Sequence, residues 1–263
     1  MKLEPTGERM IMEHYKSSPE DFVIYLLHMA SYRFARQYTR GKRVLDYGCG
    51  SGYGSAQIAE DADHVTAVDV AADAIDHARA HFQRDNLDFL TIDPAERLPF
   101  ADASFDVVLS FQVFEHVSDT SHYLSEIRRV LRPGGKLVLI TPDRSTRLLP
   151  FQKPWNRWHV HEYGKRGLEK MLRRHFGQVE VLGMTAKPEM IGYELRRCNR
   201  IKWILLPVTL PIIPDRLRVA CLNLVHRLRG RRSGEAAEYP FGIDDVLIEK
   251  DAAPSVNLVA VAS

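Results

Sequence analysis

Short apolar runs separated by amphipathic stretches recur through the first two thirds of the chain. RVLDY (43–47), HVTAVD (64–69), LDFLTI (87–92), FDVVLS (105–110) and KLVLIT (136–141) carry the β-branched and aromatic content of buried strands. Between them GSAQIAED (54–61), AADAIDHARAHFQR (71–84) and TSHYLSEIRRVLRPGG (120–135) return apolar residues at helical spacing, the last running into a Pro-Gly-Gly stop. Upstream, Ser18 as N-cap and Pro19 at the first helical position predict a helix over 17–38. Downstream, GLEKMLRRHF (167–176) predicts a further helix, QVEVLG (178–183) a sixth strand and SVNLVAVAS (255–263) a late one. Strands alternating with helices imply crossover connections, hence an α/β fold built on a doubly wound, mainly parallel sheet. About 70 residues separate the last two strands, too many for a connecting turn. The chain therefore divides into an N-terminal helical cap segment (1–40), an α/β core (41–183), an insert that caps the sheet (184–250) and a final strand completing the core (251–263).

Composition sharpens this picture at one place. The formal charge of +2 over 263 residues names no partner, but between Met184 and Gly234 eleven Lys or Arg stand against three acids, a local +8. The longest lipid-like run, WILLPVTLPIIP (203–214), is 12 residues with three prolines, whereas a spanning helix needs roughly 20 apolar residues. Cys49, Cys198 and Cys221 are odd in number and far apart, which fits a reducing, cytoplasmic compartment, and the first residues lack the apolar core of an export signal.

The chemistry begins at VLDYGCGSGYG (44–54). Four glycines follow the first strand at the carboxyl edge of the sheet, where ligands bind in doubly wound folds. The dinucleotide motif GxGxxG fits poorly, because counting from Gly48 puts Tyr53 where close helix packing wants Gly or Ala. No Gly-Lys-Ser/Thr ending marks a phosphate loop either. Instead Asp46 stands two places before the first glycine, where a carboxylate repels pyrophosphate and accepts a bond from an ammonium group. Asp69 closes the next strand, 23 residues on, positioned for the two hydroxyls of a ribose. A nucleoside joined to an amino acid without phosphate describes S-adenosylmethionine.

VLDYGCGSGYG, VTAVDVAADAIDHA, AERLPFADASFDVVLSFQVFEHVSD and RRVLRPGGKLVLITP, in unbroken order over about residues 41–183, resemble the successive motifs of the class I S-adenosylmethionine-dependent methyltransferases. The resemblance implies a Rossmann-like seven-stranded sheet of order 3-2-1-4-5-7-6, the last-formed strand antiparallel. It implies that Asp46, Gly48, Gly50 and Gly52 line the methionine part, that Asp69 binds ribose and Val70 packs on adenine, and that Phe111 and Gln112 wall the pocket. The family's adenine-contacting acid directly precedes an Ala-Glu pair; here Pro94 holds that place, which leaves Asp93 as the contact. TGERMIMEH (6–14) and PWNRWHVHEYGKRGLEKMLRRHF (154–176) are similar to segments of bacterial methyltransferases associated with cell-envelope glycan pathways.

A hydroxyl acceptor gains from a base near neutral pKa, so His116, His159 and His161 are the catalytic candidates, each set against an ordinary structural hydrogen bond. No metal is expected at His159, His161 and Glu162, since two histidines at i and i+2 lack the one-face spacing of HExxH. Tyr15 is a candidate lid over the cofactor, against simple packing in an amphipathic helix. Cys49 reads as a small buried side chain. In the insert, Leu217, Cys221, Leu224, Val225 and Leu228 share a helical face. The preferred reading packs this face on the sheet with its arginines solvated; a second docks it on the inner face of the membrane. Nucleic acid comes third, because no RNA-binding module is present. The expected function is methyl transfer to the hydroxyl of a sugar or envelope-type metabolite, against a quinone or lipid-linked acceptor, or a binding module that no longer methylates.

Overall fold

The computed structural model describes residues 18–228 and 239–263. Tyr15, the stretch 6–14 and Arg229, Arg231 and Arg232 of the basic insert lie outside them.

Helix α1 (Pro19–Thr39) opens as its sequence dictates, with the Ser18 hydroxyl accepting the Asp21 N–H at 3.1 Å and Pro19 spending no donor. Among the described residues eight strands then form one sheet: β1 (Arg43–Tyr47), β2 (His64–Asp69), β3 (Leu87–Thr91), β4 (Phe105–Phe111), β5 (Leu131–Pro142), β6 (Val179–Ala186), β7 (Val246–Glu249) and β8 (Asn257–Ala262). Their order is β3-β2-β1-β4-β5-β8-β6-β7. The first five are parallel, and β8 enters antiparallel between β5 and β6.

One strand more than expected lies at the edge. β7 pairs antiparallel with β6 in the register Met184↔Ile248 and comes from the stretch read as insert. It covers the outer N–H and C=O groups of β6, and being four residues long between Asp245 and Lys250 it makes a poor template for a further strand. β5 also begins earlier than its apolar run. Pro133 cannot continue α4 (Thr120–Val130), so the helix stops at Val130 and the chain turns directly into the strand, with a register shift between Phe105 and Val107 on β4.

Alternation along β1 divides the core. Val44 faces the side covered by α1, α2 (Tyr53–Ile58) and α3 (Ala72–His81), while Leu45 faces α4 and the later α6 (Lys165–Leu172). Short α5 (Arg144–Arg147) follows β5, and α7 (Pro188–Ile204) lies against α1 and α5.

Helix α8 (Asp215–Leu228) is turned differently from the preferred expectation. Leu217 and Leu224 are 52% and 58% exposed, whereas Arg218 and Leu222 are buried. Arg218 donates to the Pro154 carbonyl at 2.7 Å and to Asp215 at 3.1 Å, and Leu222 packs with Ile201 and Leu205. The two guanidinium bonds offset the cost of burying Arg218, so the helix docks through its mixed face and leaves apolar residues in solvent.

Candidate active site

At the switch point, where β1 has β2 on one side and β4 on the other, the carboxyl ends of the strands open into a cavity of about 770 Å³. Its floor is the turn after β1. Gly48 has φ +92°, and a Cβ there would come within 2.3 Å of Val113, so only glycine brings the backbone this close to the opposite wall. Asp69 stands beside the turn with both carboxylate oxygens anchored: one accepts the Gly50 N–H at 2.9 Å, the other the Ala71 N–H at 2.9 Å. A carboxylate has about four acceptor positions, so two remain for a ligand. Val70 follows it, 56% exposed, an apolar side chain held open in the wall. Across the cavity Gln112 sits in left-handed backbone at φ +57°, where a non-glycine residue costs about 1–3 kcal/mol, and its amide reaches Asn257 at 3.3 Å.

Of the residues expected here, Gly48, Gly50, Asp69, Val70, Phe111, Gln112 and His116 line the cavity. Five do not. Asp46 is 1% exposed behind the turn, its carboxylate taken by Ser55 Oγ at 2.6 Å and Tyr32 Oη at 3.4 Å, because α1 lays Tyr32 over it. Gly52 faces inward, where a Cβ would meet Ala78 at 2.6 Å and the Phe89 ring at 2.8 Å. Asp93 is exposed and accepts the Ala95 N–H at 2.8 Å, leaving Pro94 and Ala95 as the wall. His161 packs against Tyr163, and His159 lies buried beneath the cavity wall. Conversely, His28 and Tyr32 of α1 and Trp158 line the cavity without having been singled out, since the helical pattern of α1 marks them only as apolar-face residues.

Burial pushes the Asp46 carboxyl up to about 6 from an ordinary 3.8. The folded state thus holds this proton to higher pH than the unfolded chain, so stability falls as pH rises from about 4 to 6, by about 3 kcal/mol in all. Asp46→Asn removes that loss. The variant should gain about 3 kcal/mol on wild type between pH 4 and pH 8 in urea denaturation; a difference independent of pH would contradict the assignment.

Beyond His116 the wall is backed by a polar cluster assembled from three distant segments. A short 3₁₀ turn after β4 (Phe114–His116) brings in Glu115, the end of β5 brings Thr141, and the loop after α5 brings His159 and Glu162. Thr141 donates to Glu115 Oε2 at 2.9 Å, and burial pushes Glu115 up to about 7. Glu162 is fully enclosed, which favours its neutral acid. Arg147 at 3.0 Å and His159 at 2.7 Å outweigh that and bring it down to about 2. Burial lowers His159 to about 4 despite this bond, so His159 is neutral. Its proton is assigned to Nδ1, which faces the anionic Glu162, leaving a lone pair on Nε2. The His116 and His159 rings meet edge to face at 4.8 Å.

A family model for a methyltransferase domain matches residues 45–139. A protein of Mycolicibacterium smegmatis named as a probable S-adenosylmethionine-dependent methyltransferase is 37% identical over 175 residues, 66% of this chain and 65% of that protein. A like-named protein of Mycobacterium tuberculosis is 35% identical over 201 residues, 74% of this chain and 69% of that one. This chain thus spans about two thirds of the length of these relatives. A crystal structure of an S-adenosylmethionine-dependent methyltransferase from Thermotoga maritima shares the fold, with a TM-score of 0.58 at 15% identity over 92% of this chain and 91% of that one. Such identity, sustained over two thirds of a relative, reflects common descent: the chain belongs to the class I S-adenosylmethionine-dependent methyltransferases and takes S-adenosylmethionine as its cofactor.

Proposed function

We propose that the protein methylates a hydroxyl oxygen of a small molecule, and that the acceptor is a sugar or a comparably hydroxylated metabolite. The observation that carries this reading is the continuity of one cavity from the glycine turn and Asp69 to His116 and Trp158.

The donor half fits the cofactor. Gly48 and Gly50 admit a ligand against bare backbone, Asp69 keeps acceptor positions for the ribose hydroxyls, and exposed Val70 offers an apolar face to adenine. Asp46, enclosed behind the turn, contributes negative charge beneath the methionine end rather than a contact. Asp93 lies one residue outside the wall, so the adenine edge is met by Pro94 and Ala95. When bound, the cofactor supplies a methyl group already activated on a sulfonium sulfur, which leaves the protein chiefly to orient the acceptor and help remove its proton.

The acceptor half supports oxygen as the nucleophile. Trp158 is 51% exposed in the wall, an indole face suited to the C–H face of a pyranose or to a phenolic ring. His116 stands next to it, its Nδ1 on the Trp158 carbonyl at 3.1 Å, with the Glu115–His159–Glu162 cluster behind. An imidazole–carboxylate cluster assists a hydroxyl, which must lose its proton, far more than an amine that is already nucleophilic. Conversion of S-adenosylmethionine to S-adenosylhomocysteine in the presence of a panel of glycosides, phenols and amines tests the reading. Turnover with amines alone would overturn it.

A second reading concerns where the acceptor is met. Trp203, Ile204, Ile212, Leu217 and Leu224 are each more than half exposed, and exposed Arg200 and Arg216 accompany them along α7, its following loop and α8. Apolar side chains flanked by cations suit the interface of an anionic bilayer, where each Lys or Arg contributes about 1 kcal/mol. No helix among the described residues is long and apolar enough to cross a membrane. The protein is expected to float with phosphatidylglycerol vesicles and not with phosphatidylcholine vesicles. Trp203→Ser/Ile212→Ser/Leu217→Ser should abolish flotation; retention by that variant would remove the docking surface.

A further inference from the structure

We propose that Glu115, His116 and His159 form a divalent-cation site, of the chemistry that takes Zn²⁺, at the acceptor end of the cavity. Among the described residues these three side chains each offer one ligand atom, and the three atoms lie within 4.8 Å of one another. Glu115 and His159 are buried, and His116 opens on the cavity, so a cation held by all three would face the acceptor.

The surrounding hydrogen bonds are those that metal ligands require. A ligating histidine characteristically donates its other ring N–H to a carboxylate or a backbone carbonyl, which fixes the tautomer and aims the lone pair. Both histidines do so. His159 Nδ1 meets Glu162 at 2.7 Å, itself salt-bridged to Arg147 at 3.0 Å. His116 Nδ1 meets the Trp158 carbonyl at 3.1 Å, and because a carbonyl only accepts, this nitrogen carries the hydrogen. Each ring therefore presents Nε2 as its basic atom. Glu115 is oriented as well, by the Thr141 hydroxyl at 2.9 Å.

Charge points the same way. Two carboxylates, Glu115 and Glu162, are enclosed here, and the guanidinium of Arg147 is committed to Glu162. Glu115 meets the Thr141 hydroxyl rather than a guanidinium, so a dication beside it would be the charge that holds its carboxyl ionised.

One carboxylate with two imidazoles is a catalytic rather than a structural donor set: it leaves a coordination position open, and its nitrogen ligands favour Zn²⁺ over Mg²⁺. Bond lengths of about 2.0–2.2 Å place tetrahedral donors roughly 3.4 Å apart, so the three side chains draw together by small torsional adjustments when the ion enters.

The use of the ion, though not its binding, rests on the O-methyl reading. A hydroxyl oxygen of the acceptor takes the open position and transfers its proton to water at the cavity mouth. The O–H bonding pair stays on oxygen, where the cation stabilises it as an alkoxide ready for methylation.

The test is metal binding by chelator-stripped, full-length protein, with Co²⁺ and Zn²⁺ themselves as probes. Wild type should bind one equivalent, with the visible d–d bands of four-coordinate Co²⁺, and a Zn²⁺ affinity measurable by competition with a chromophoric chelator. His116→Ala and His159→Ala should each weaken Zn²⁺ by about 100-fold or more, and Glu162→Gln, which removes an orienting partner, by about 10- to 100-fold. S-adenosylhomocysteine binding, measured by calorimetry on each protein, should stay within about threefold of wild type. His116 is partly exposed, so its truncation keeps the test open even if a buried variant fails to fold. Absence of the Co²⁺ bands, or equal Zn²⁺ affinity in wild type and both histidine variants, overturns the cation site while leaving methyl transfer standing. Failure to bind S-adenosylhomocysteine would instead overturn the donor-site assignment, whatever the metal result.

Discussion

Asp69→Ala is expected to lower the affinity for S-adenosylmethionine and S-adenosylhomocysteine by about 100-fold or more while the chain stays folded. In the proposed donor site Asp69 accepts two charge-assisted hydrogen bonds from the ribose hydroxyls, each contributing about 1.5–3 kcal/mol. The substitution also frees the Gly50 and Ala71 N–H groups, now held at 2.9 Å, so the turn loses the clamp that shapes it against the ligand. Because Asp69 is only half-buried at the end of β2, those two donors can be rehydrated, and global stability should change little. Calorimetric titration with S-adenosylhomocysteine is the measurement. An affinity within threefold of wild type would show that the ribose is held elsewhere.

The largest loss of stability is expected from Arg147→Met, about 3–5 kcal/mol. Arg147 is buried, its guanidinium 4.0 Å above the Trp155 ring and its Nε bonded to Glu162, whose side chain has no exposed surface. Removing the guanidinium leaves an enclosed carboxylate with only neutral His159 beside it, an uncompensated charge in a poorly solvated site. Arg147→Met/Glu162→Gln should recover most of the loss, because it removes both charges together. Urea denaturation of the two variants decides the point: if the double variant were no more stable than the single one, stacking on Trp155 rather than charge would account for the effect.

Much of the donor half was legible in the chain because its determinants are local. The turn is written in consecutive residues, and Asp69 follows at the end of a strand whose bounds, 64–69, match its apolar run. Asp46 shows the boundary of such reasoning. Its place two residues before Gly48 was plain, but its enclosure depends on Tyr32, which comes from α1 and packs so close that a Cβ on Gly54 would stand 2.0 Å from the ring. The insert shows it again. Its helical periodicity was correct over Asp215–Leu228, yet which face turns inward was decided by the Pro154 carbonyl and Asp215 receiving Arg218, and hydropathy alone assigned a neighbouring face.

The acceptor half was the least legible. His159, His161 and Glu162 were noticed as neighbours in sequence, but the tertiary grouping puts Glu115 and His116 beside His159 in place of His161 and Glu162. His159 lies more than 40 positions from Glu115 and His116, and they meet only because β4 and β5 are adjacent and the loop after α5 folds back over their ends. The extra strand β7 has the same origin. Val246, Leu247 and Ile248 form a short apolar run, and what makes them a strand is the open edge of β6.

By itself, then, the sequence determined the α/β order, the glycine turn, the acid that closes the second strand and, through the ordered motifs, the cofactor. Each depends on periodicity, capping or turn chemistry that acts within a few residues. Only the tertiary structure decided which groups line the cavity, which carboxylates are enclosed and which apolar residues remain in solvent. Those outcomes depend on pairings between remote segments, where burial, charge compensation and hydrogen-bond satisfaction are settled jointly and no single stretch of chain carries the information.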